Sequence, residues 1–350
     1  MKVIRARNVN DALPRGLAYL RESGLTRETR NGGAVVAPEP VTTVYEQPRE
    51  RVLFSKLRDA NPFFHLFEAL WMLAGRHDLA FVEKFAKNMR SFSDDGETMW
   101  GAYGWRWRTF FDFDQLSWAV HRLRRLPNDR RVVVQMWAAG LDQERADAGG
   151  KDVPCNIAIH FRINDRGQLD MTVWNRSNDI IWGAYGANVV HMSILQEYVA
   201  SAVGVEVGRY WQVSDDYHAY SDLFNKMLPL MSASGVAPDD MYLAGVSEPT
   251  PLMEQPESWQ TWDQDLVMFL DEPGAVGFRN AFFRKVCVPM MMAHKAYSQG
   301  RGEARYADAV EILSQMPPYN DWRIACMNWI QTRWDKYKKA RDDGPNHDEV

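Results

Sequence analysis

The chain is poor in cysteine, with three in 350 residues, at positions 155, 287 and 326. That number and spacing make neither a paired disulfide framework nor a metal-binding cluster, and a reducing, cytoplasmic setting is the expectation. Long apolar runs are missing as well. No stretch approaches the roughly 18 apolar residues of a membrane span, and "MKVIRARNVNDALPRGL" has no apolar core of a secretion signal. Positive charge is not in excess: the formal net charge of −5 speaks against a general nucleic-acid binder, which is usually basic. Internal repeats, low-complexity tracts and Pro/Gly/Ser linkers do not occur.

What is present is ordinary globular chemistry. The chain is 46% hydrophobic and 25% charged, with 14 tryptophans to line a core or a pocket. "RNGGAVVAPEPVTTVYEQPRERVLF" reads as short strands and turns. "NPFFHLFEALWMLAG" reads as a helix, with Asn61 as cap, Pro62 in the first turn and Gly75 at the end. Phe63, Phe67, Leu70 and Trp71 share one of its faces. "FDQLSWAVHRLRRLPND" is a second helix, stopped at Pro127. "RRVVVQMW" reads as a strand. "CNIAIHFRIN" and "LDMTVWNRS" are strands around the turn "DRGQ", with Ile157, Ile159, Phe161 and Ile163 facing one way. "AYGANVVHMSILQEYVASAVG" is a long helix ending near Gly204, and "VEVGRYWQVSDDYHAY" a strand running into a helical start. From Glu272 the pattern is mostly helical. The plan is α+β, with a catalytic body expected over residues 1–270, a helical extension over 271–340 and a polar tail over 341–350.

Several residues carry chemistry. Cys155 follows Pro154 at the mouth of a strand. A thiolate near positive charge is a strong nucleophile, although a lone cysteine also serves as a small buried hydrophobe. Glu68 sits inside an apolar helix, where desolvation favours the neutral carboxyl and suits acid–base work near neutrality. Arg130 and Arg131 offer forked donors to a phosphate, or simply a solvated strand start. In "WNRSND", Arg176 and Ser177 suit an anion, and Asp179 is placed to position a proton or a water. Asn188 presents the donor and acceptor that match the O4 and N3–H edge of uracil, or else caps a helix. His218 and Tyr220 fit a sugar hydroxyl, or form a commonplace turn.

Taken in order, RNGG, the helix with Glu68, YGWRWR, RR, PC, RSND, GAN and HAY resemble the thymidylate synthase family, including its nucleotide hydroxymethylase branch. The resemblance runs roughly from Arg30 to Tyr220. It implies a thymidylate synthase-like mixed sheet packed by long helices, with extra C-terminal helices. It implies that Cys155 adds to C6 of a pyrimidine monophosphate, which makes C5 attack the methylene of 5,10-methylenetetrahydrofolate. Arg176 is then the phosphate arginine that lowers the thiol pKa, and Ser177 and Arg30 are further phosphate contacts. Arg130 and Arg131 are the pair lent across a homodimer to the partner's phosphate. Glu68 organises water and moves protons, Tyr103 assists proton abstraction at C5, and Asp179 contacts the pterin. His218 and Tyr220 hold the 3′-hydroxyl, and asparagine at 188 favours dUMP over dCMP. No metal, membrane or nucleic-acid partner is implied.

Two departures bear on the product. "RSFSDDG" stands where the synthases carry a tryptophan-bearing segment, roughly "IWDEW", that shields an exocyclic methylene intermediate; Phe92 replaces one tryptophan. The chain also ends in "DDGPNHDEV", not in an apolar closing tail. Water access is therefore expected, and with it 5-hydroxymethyl-dUMP. Thymidylate synthase, dCMP hydroxymethylase and a catalytically silent nucleotide- or RNA-binding relative are the alternatives. The presence of Cys155, Glu68 and Asp179 opposes the last.

Overall fold

Alternating β-rich segments and long apolar helices build two compact units in this computed structural model. One comprises residues 1–58 and 64–240, the other 59–63 and the chain from 241 on. The structure describes residues 1–30, 32–231, 239–254 and 258–343, so positions 344–350 of the polar tail lie outside the described residues.

The first unit holds eight strands: β1 (Lys2–Ala6), β2 (Leu25–Thr29), β3 (Gly32–Val36), β4 (Val41–Tyr45), β5 (Val133–Gln135), β6 (Asn156–Ile163), β7 (Gln168–Asp179) and β8 (Glu206–Tyr220). Its helices are α1 (Val9–Ser23), α2 (Pro62–Leu73, of which it holds Phe64 onward), α3 (Leu79–Val82), α4 (Tyr103–Arg108), α5 (Gln115–Arg125), α6 (Leu141–Asp147), α7 (Asn188–Val203) and α8 (Ser221–Met227). The sheet runs β1-β4-β8-β7-β6-β5, with β3 also on β8 and β2 on β3. β6 and β7 form an antiparallel hairpin, while β7 and β8 run parallel. A parallel pair needs a crossover connection, and α7 supplies it. The register sets Ser177 opposite Asp216 and Asp179 opposite His218, so the ends of both strands deliver polar groups to one edge.

α7 is the buried heart of this unit. Every residue from Val189 to Ala200 is buried, and its polar members need partners there. Gln196 donates to the carbonyls of Leu169 (2.8 Å) and Arg209 (3.0 Å), and Glu197 takes Arg51 and, at 3.3 Å, Arg49. Gly204 stops the helix in the left-handed region, at φ +90°. α2 buries Phe63, Leu66, Phe67 and Leu70 completely, and Gly75 follows it at φ +72°.

Four local expectations are corrected. β5 is only three residues long, and Arg130 and Arg131 lie in the turn before it. There Asp129 accepts the Arg131 backbone N–H (3.0 Å) and its guanidinium (2.9 Å), and this side-chain cap competes with strand pairing. His218 and Tyr220 belong to a strand and not to a turn, because β3 pairs with β8 through Val36↔His218 and Ala34↔Tyr220. The long helix starts at Asn188; residues 180–187 form a kinked π-helical segment in which Tyr185 and Gly186 leave helical φ/ψ. In β6, a register shift between Asn156 and Ala158 interrupts the alternation, and Asn156 and Ala158 are buried along with Ile159 and Phe161.

The second unit contains α9 (Trp259–Asp271), α10 (Val288–Gln299), α11 (Ala304–Ser314) and α12 (Asp321–Asp343). Trp262, Phe269, Phe283 and Ile330 are among its fully buried side chains. Asp321 ties its start by accepting from Tyr242 (2.8 Å) and Thr250 (2.6 Å). Among the described residues, no helix is long and apolar enough to cross a membrane.

Candidate active site

Cys155 sits just ahead of β6 and is held from β7. The backbone N–H of Arg176 donates to the Cys155 carbonyl (2.9 Å). Its guanidinium donates to the carbonyls of Pro154 (2.9 Å) and Val153 (3.0 Å), and Nη2 stands 3.9 Å from Sγ. The arginine is thus fixed by the residues flanking the thiol and offers it positive charge. Burial nevertheless pushes the thiol pKa above its ordinary value; Arg176 pulls it down, Asp152 pushes it up and Arg30 pulls it down. Arg176 does pull the thiol pKa down, as expected of it, but desolvation outweighs the arginines and the net shift is upward.

Tyr103 opens α4, and a buried ion pair anchors that helix. Arg106 is fully buried and meets both oxygens of Asp142 at 2.8 Å. It also donates to the carbonyls of Met136 (2.7 Å) and Trp100 (3.1 Å). Burial, reinforced by the charges of Cys155 and Asp152, holds the Tyr103 phenol well above its ordinary pKa, so it is neutral at any working pH. Just upstream, the Gly101 N–H donates to Asp152 Oδ2 at 3.0 Å.

At the shared end of β7 and β8, Asp179 Oδ1 accepts the N–H groups of Ile181 (2.8 Å) and Trp182 (2.6 Å). Its Oδ2 is buried without a partner, and burial raises its pKa. His218 Nδ1 lies 2.7 Å from Asp216 Oδ1. Burial opposes the imidazolium, yet the bond to Asp216 and the charges of Asp179 and Asp216 prevail, so the His218 pKa is raised. The Tyr220 ring stands edge-on, 5.4 Å away. Asn188, first in α7, donates through Nδ2 to Asn178 Oδ1 (3.1 Å), and Asn178 donates to Ser214 Oγ (3.1 Å). Ser177 is half-buried on β7 opposite Asp216.

Glu68 is not a lone carboxylate among apolar groups, contrary to the expectation. Its Oε2 lies 3.0 Å from His191 Nε2, and both side chains are buried. His191 is one turn beyond Asn188 on α7, hence on the same face. Nearby His65 is held well below the ordinary imidazole pKa by burial, with Arg58 and His191 adding.

The structure therefore brings Cys155, Tyr103, Arg176 and Arg30 within electrostatic reach of one another. It places Asp179 beside His218 and Tyr220, and Asn188 beside Asn178. It does not bring in Arg130 and Arg131: Arg131 is 77% exposed and paired with Asp129, and the charges acting on Cys155 are Arg176, Asp152 and Arg30. Four residues escaped the sequence reading: Asp152, Asn178, His191 and Asp216. Asp152 and Asn178 lie within the motifs themselves, in "DVPC" and "RSND", and the helical spacing from Asn188 was a signal for His191.

A family model described as thymidylate synthase matches residues 22–244. A deoxyuridylate hydroxymethyltransferase of Pseudomonas phage M6 is 51% identical over 98% of this chain and 99% of its own length. The enzyme of the same name from Bacillus phage SP01 is 38% identical over 54% of each chain. The crystal structure of thymidylate synthase from T4 phage superposes with a TM-score of 0.52 over 62% of this chain and 79% of that one, at 20% identity, which is a likeness of fold. The matched span contains all of the sheet from β3 to β8 and every candidate site residue named above, and the chain belongs to the thymidylate synthase family.

Proposed function

We propose that the chain adds a hydroxymethyl group to C5 of dUMP, taking the carbon from 5,10-methylenetetrahydrofolate and the hydroxyl from water. The similarity over nearly the full length to a deoxyuridylate hydroxymethyltransferase carries this reading. The site geometry fits it. Cys155 loses its proton as it adds to C6, and Arg176 stabilises the thiolate. Arg176, Ser177 and Arg30, with Arg130 and Arg131 of the partner subunit in a homodimer, hold the phosphate. His218 and Tyr220 take the 3′-hydroxyl, and Asn188 reads the uracil edge. Glu68, close to His191, moves protons at the base, and neutral Tyr103 assists removal of the C5 proton. The folate, when bound, supplies a one-carbon unit at the oxidation level of formaldehyde. Asp179 would hold its pterin: the buried, unpartnered Oδ2 is an acceptor waiting for N–H donors.

The reading of the product rests on the segment that, by the resemblance, stands where the synthases carry their tryptophan-bearing shield. Ser93 and Asp95 form a polar turn, with Ser93 Oγ donating to Asp95 Oδ1 (3.0 Å), and Phe92 beside it is 49% exposed. Such a turn does not exclude water from an electrophilic carbon as a wall of indole rings would. The test is to incubate the protein with methylenetetrahydrofolate and dUMP, and separately dCMP, and to weigh the products. The expected outcome is 5-hydroxymethyl-dUMP with tetrahydrofolate released. Stoichiometric dihydrofolate with dTMP would overturn the reading, and preferential use of dCMP would overturn the base assignment.

A further inference from the structure

We infer that Asp152 is a further catalytic residue, the base that takes the proton from the water attacking the exocyclic methylene carbon of the nucleotide. This rests on the hydroxymethyl reading. Asp152 lies three residues before Cys155 at the mouth of β6. Its Oδ2 accepts the Gly101 N–H at 3.0 Å, two residues before Tyr103. A Cβ at position 101 would stand 2.5 Å from Oδ1, so the carboxylate is packed close against that backbone and any larger residue there would displace it. No hydrogen bond to Oδ1 is made among the described residues. The charge of Asp152 acts on both the Cys155 thiol and the Tyr103 phenol, which places the carboxylate in their company.

The other charges facing Asp152 leave it without an ion-pair partner. Asp94 opposes its ionisation, while Arg106 and Arg145 favour it. Both arginines are already engaged, Arg106 with Asp142 at 2.8 Å and Arg145 with Asp94 at 2.7 Å. Asp94 also accepts the Lys151 N–H at 2.8 Å, which ties the polar turn at Ser93 to the segment carrying Asp152. Burial then pushes the Asp152 carboxyl up to about 6. It is ionised at neutral pH yet basic enough to accept a proton in a transition state. A residue serving only to latch Gly101 has no need of such a placement.

The step balances without oxidant or reductant. The water oxygen bonds to the methylene carbon, and its proton passes to Asp152. The π pair moves toward C5 and O4 as an enolate. The enolate restores the C5–C6 double bond as the C6–Sγ bond breaks and the Cys155 thiolate leaves. Asp152 then returns its proton to the thiolate or to solvent.

Asp152→Asn tests this, because the amide oxygen still accepts the Gly101 N–H while the base is gone. Hydroxymethyl product formation should fall at least ~100-fold, the usual scale of a lost general base. The loss of wild-type rate as pH drops through about 6 should vanish from the residual activity. 5-Fluoro-dUMP with methylenetetrahydrofolate should still form a covalent adduct at close to the wild-type rate, since fluorine does not leave as a proton and the adduct stalls before water attacks. Alkylation of Cys155 by iodoacetamide, with no folate present, should accelerate, because a charge that raises the thiol pKa has been removed. Turnover within about threefold of wild type, adduct formation lost in parallel with turnover, or unaccelerated alkylation would each overturn the assignment. Wild-type product of dTMP would fell the hydroxymethyl reading along with it; wild-type hydroxymethyl product with a fully active variant would fell this inference alone.

Discussion

In the proposed reading, Asn188 meets the base with only part of its amide free. One N–H is committed to Asn178 Oδ1 at 3.1 Å, which leaves the carbonyl and the second N–H for a base. Asn188→Asp removes the donor that uracil O4 needs and supplies an acceptor for the amino group of cytosine. The ratio of kcat/KM for dUMP over dCMP should fall about tenfold to a hundredfold, the scale of one buried mismatch worth about 1–3 kcal/mol. An unchanged ratio would remove Asn188 from base reading. At this scale the sequence was legible where a residue type is rare in its surroundings: a cysteine behind a proline, a glutamate inside "FFHLFEALW". It was silent on partners. Nothing in the order of residues says that Glu68 meets His191, or that burial outweighs Arg176 at the thiol, because both depend on what tertiary packing brings near.

α4 shows how one helix serves the site from behind. Arg106 and Asp142 are each fully buried, and together they fasten the segment bearing Gly101 and Tyr103 to the start of α6. A buried pair is weak evidence of net stability, but removing one partner leaves an uncompensated charge. Asp142→Asn should cost about 3–5 kcal/mol, visible as a lowered denaturation midpoint. It should also depress kcat more than it weakens dUMP binding, because Tyr103 shifts while Arg176 on β7, the proposed phosphate arginine, does not. A variant as stable as wild type would contradict this. Most elements were legible from periodicity, as α2, α7 and the β6–β7 hairpin demonstrate. Two boundaries were not. Asp129 captures Arg131 and shortens β5, and the kink at Tyr185 and Gly186 delays α7; both are contests between local side-chain bonds and regular backbone pairing, which a hydrophobic pattern does not register.

At the scale of the whole molecule, the proposed homodimer gives the exposed pair Arg130 and Arg131 a role in the partner's site. Arg131 is exposed and its guanidinium rests on Asp129 of its own turn, an ion pair that a partner's phosphate would have to displace. Chains carrying Cys155→Ser should be inactive alone, as should chains carrying Arg131→Ala at low substrate concentration. Co-expressed, they should regain activity in mixed dimers, where one of the two sites draws an intact cysteine and an intact arginine from different chains. Heterodimers that form without recovering activity would count against sharing. The mixed sheet was foreseeable from the family resemblance; its strand order was not, since the pairing of β1 with β4 and of β8 with three neighbours is non-local. The β6–β7 hairpin offers an instrument. Its tip, Asp165 to Gly167, is exposed, and eight strand residues at about 3.3 Å each put it roughly 26 Å from the reactive thiol. A fluorophore attached there, on a chain whose other described cysteines are both buried, would report nucleotide capture, and subunit exchange in the proposed homodimer, from a distance at which it disturbs neither.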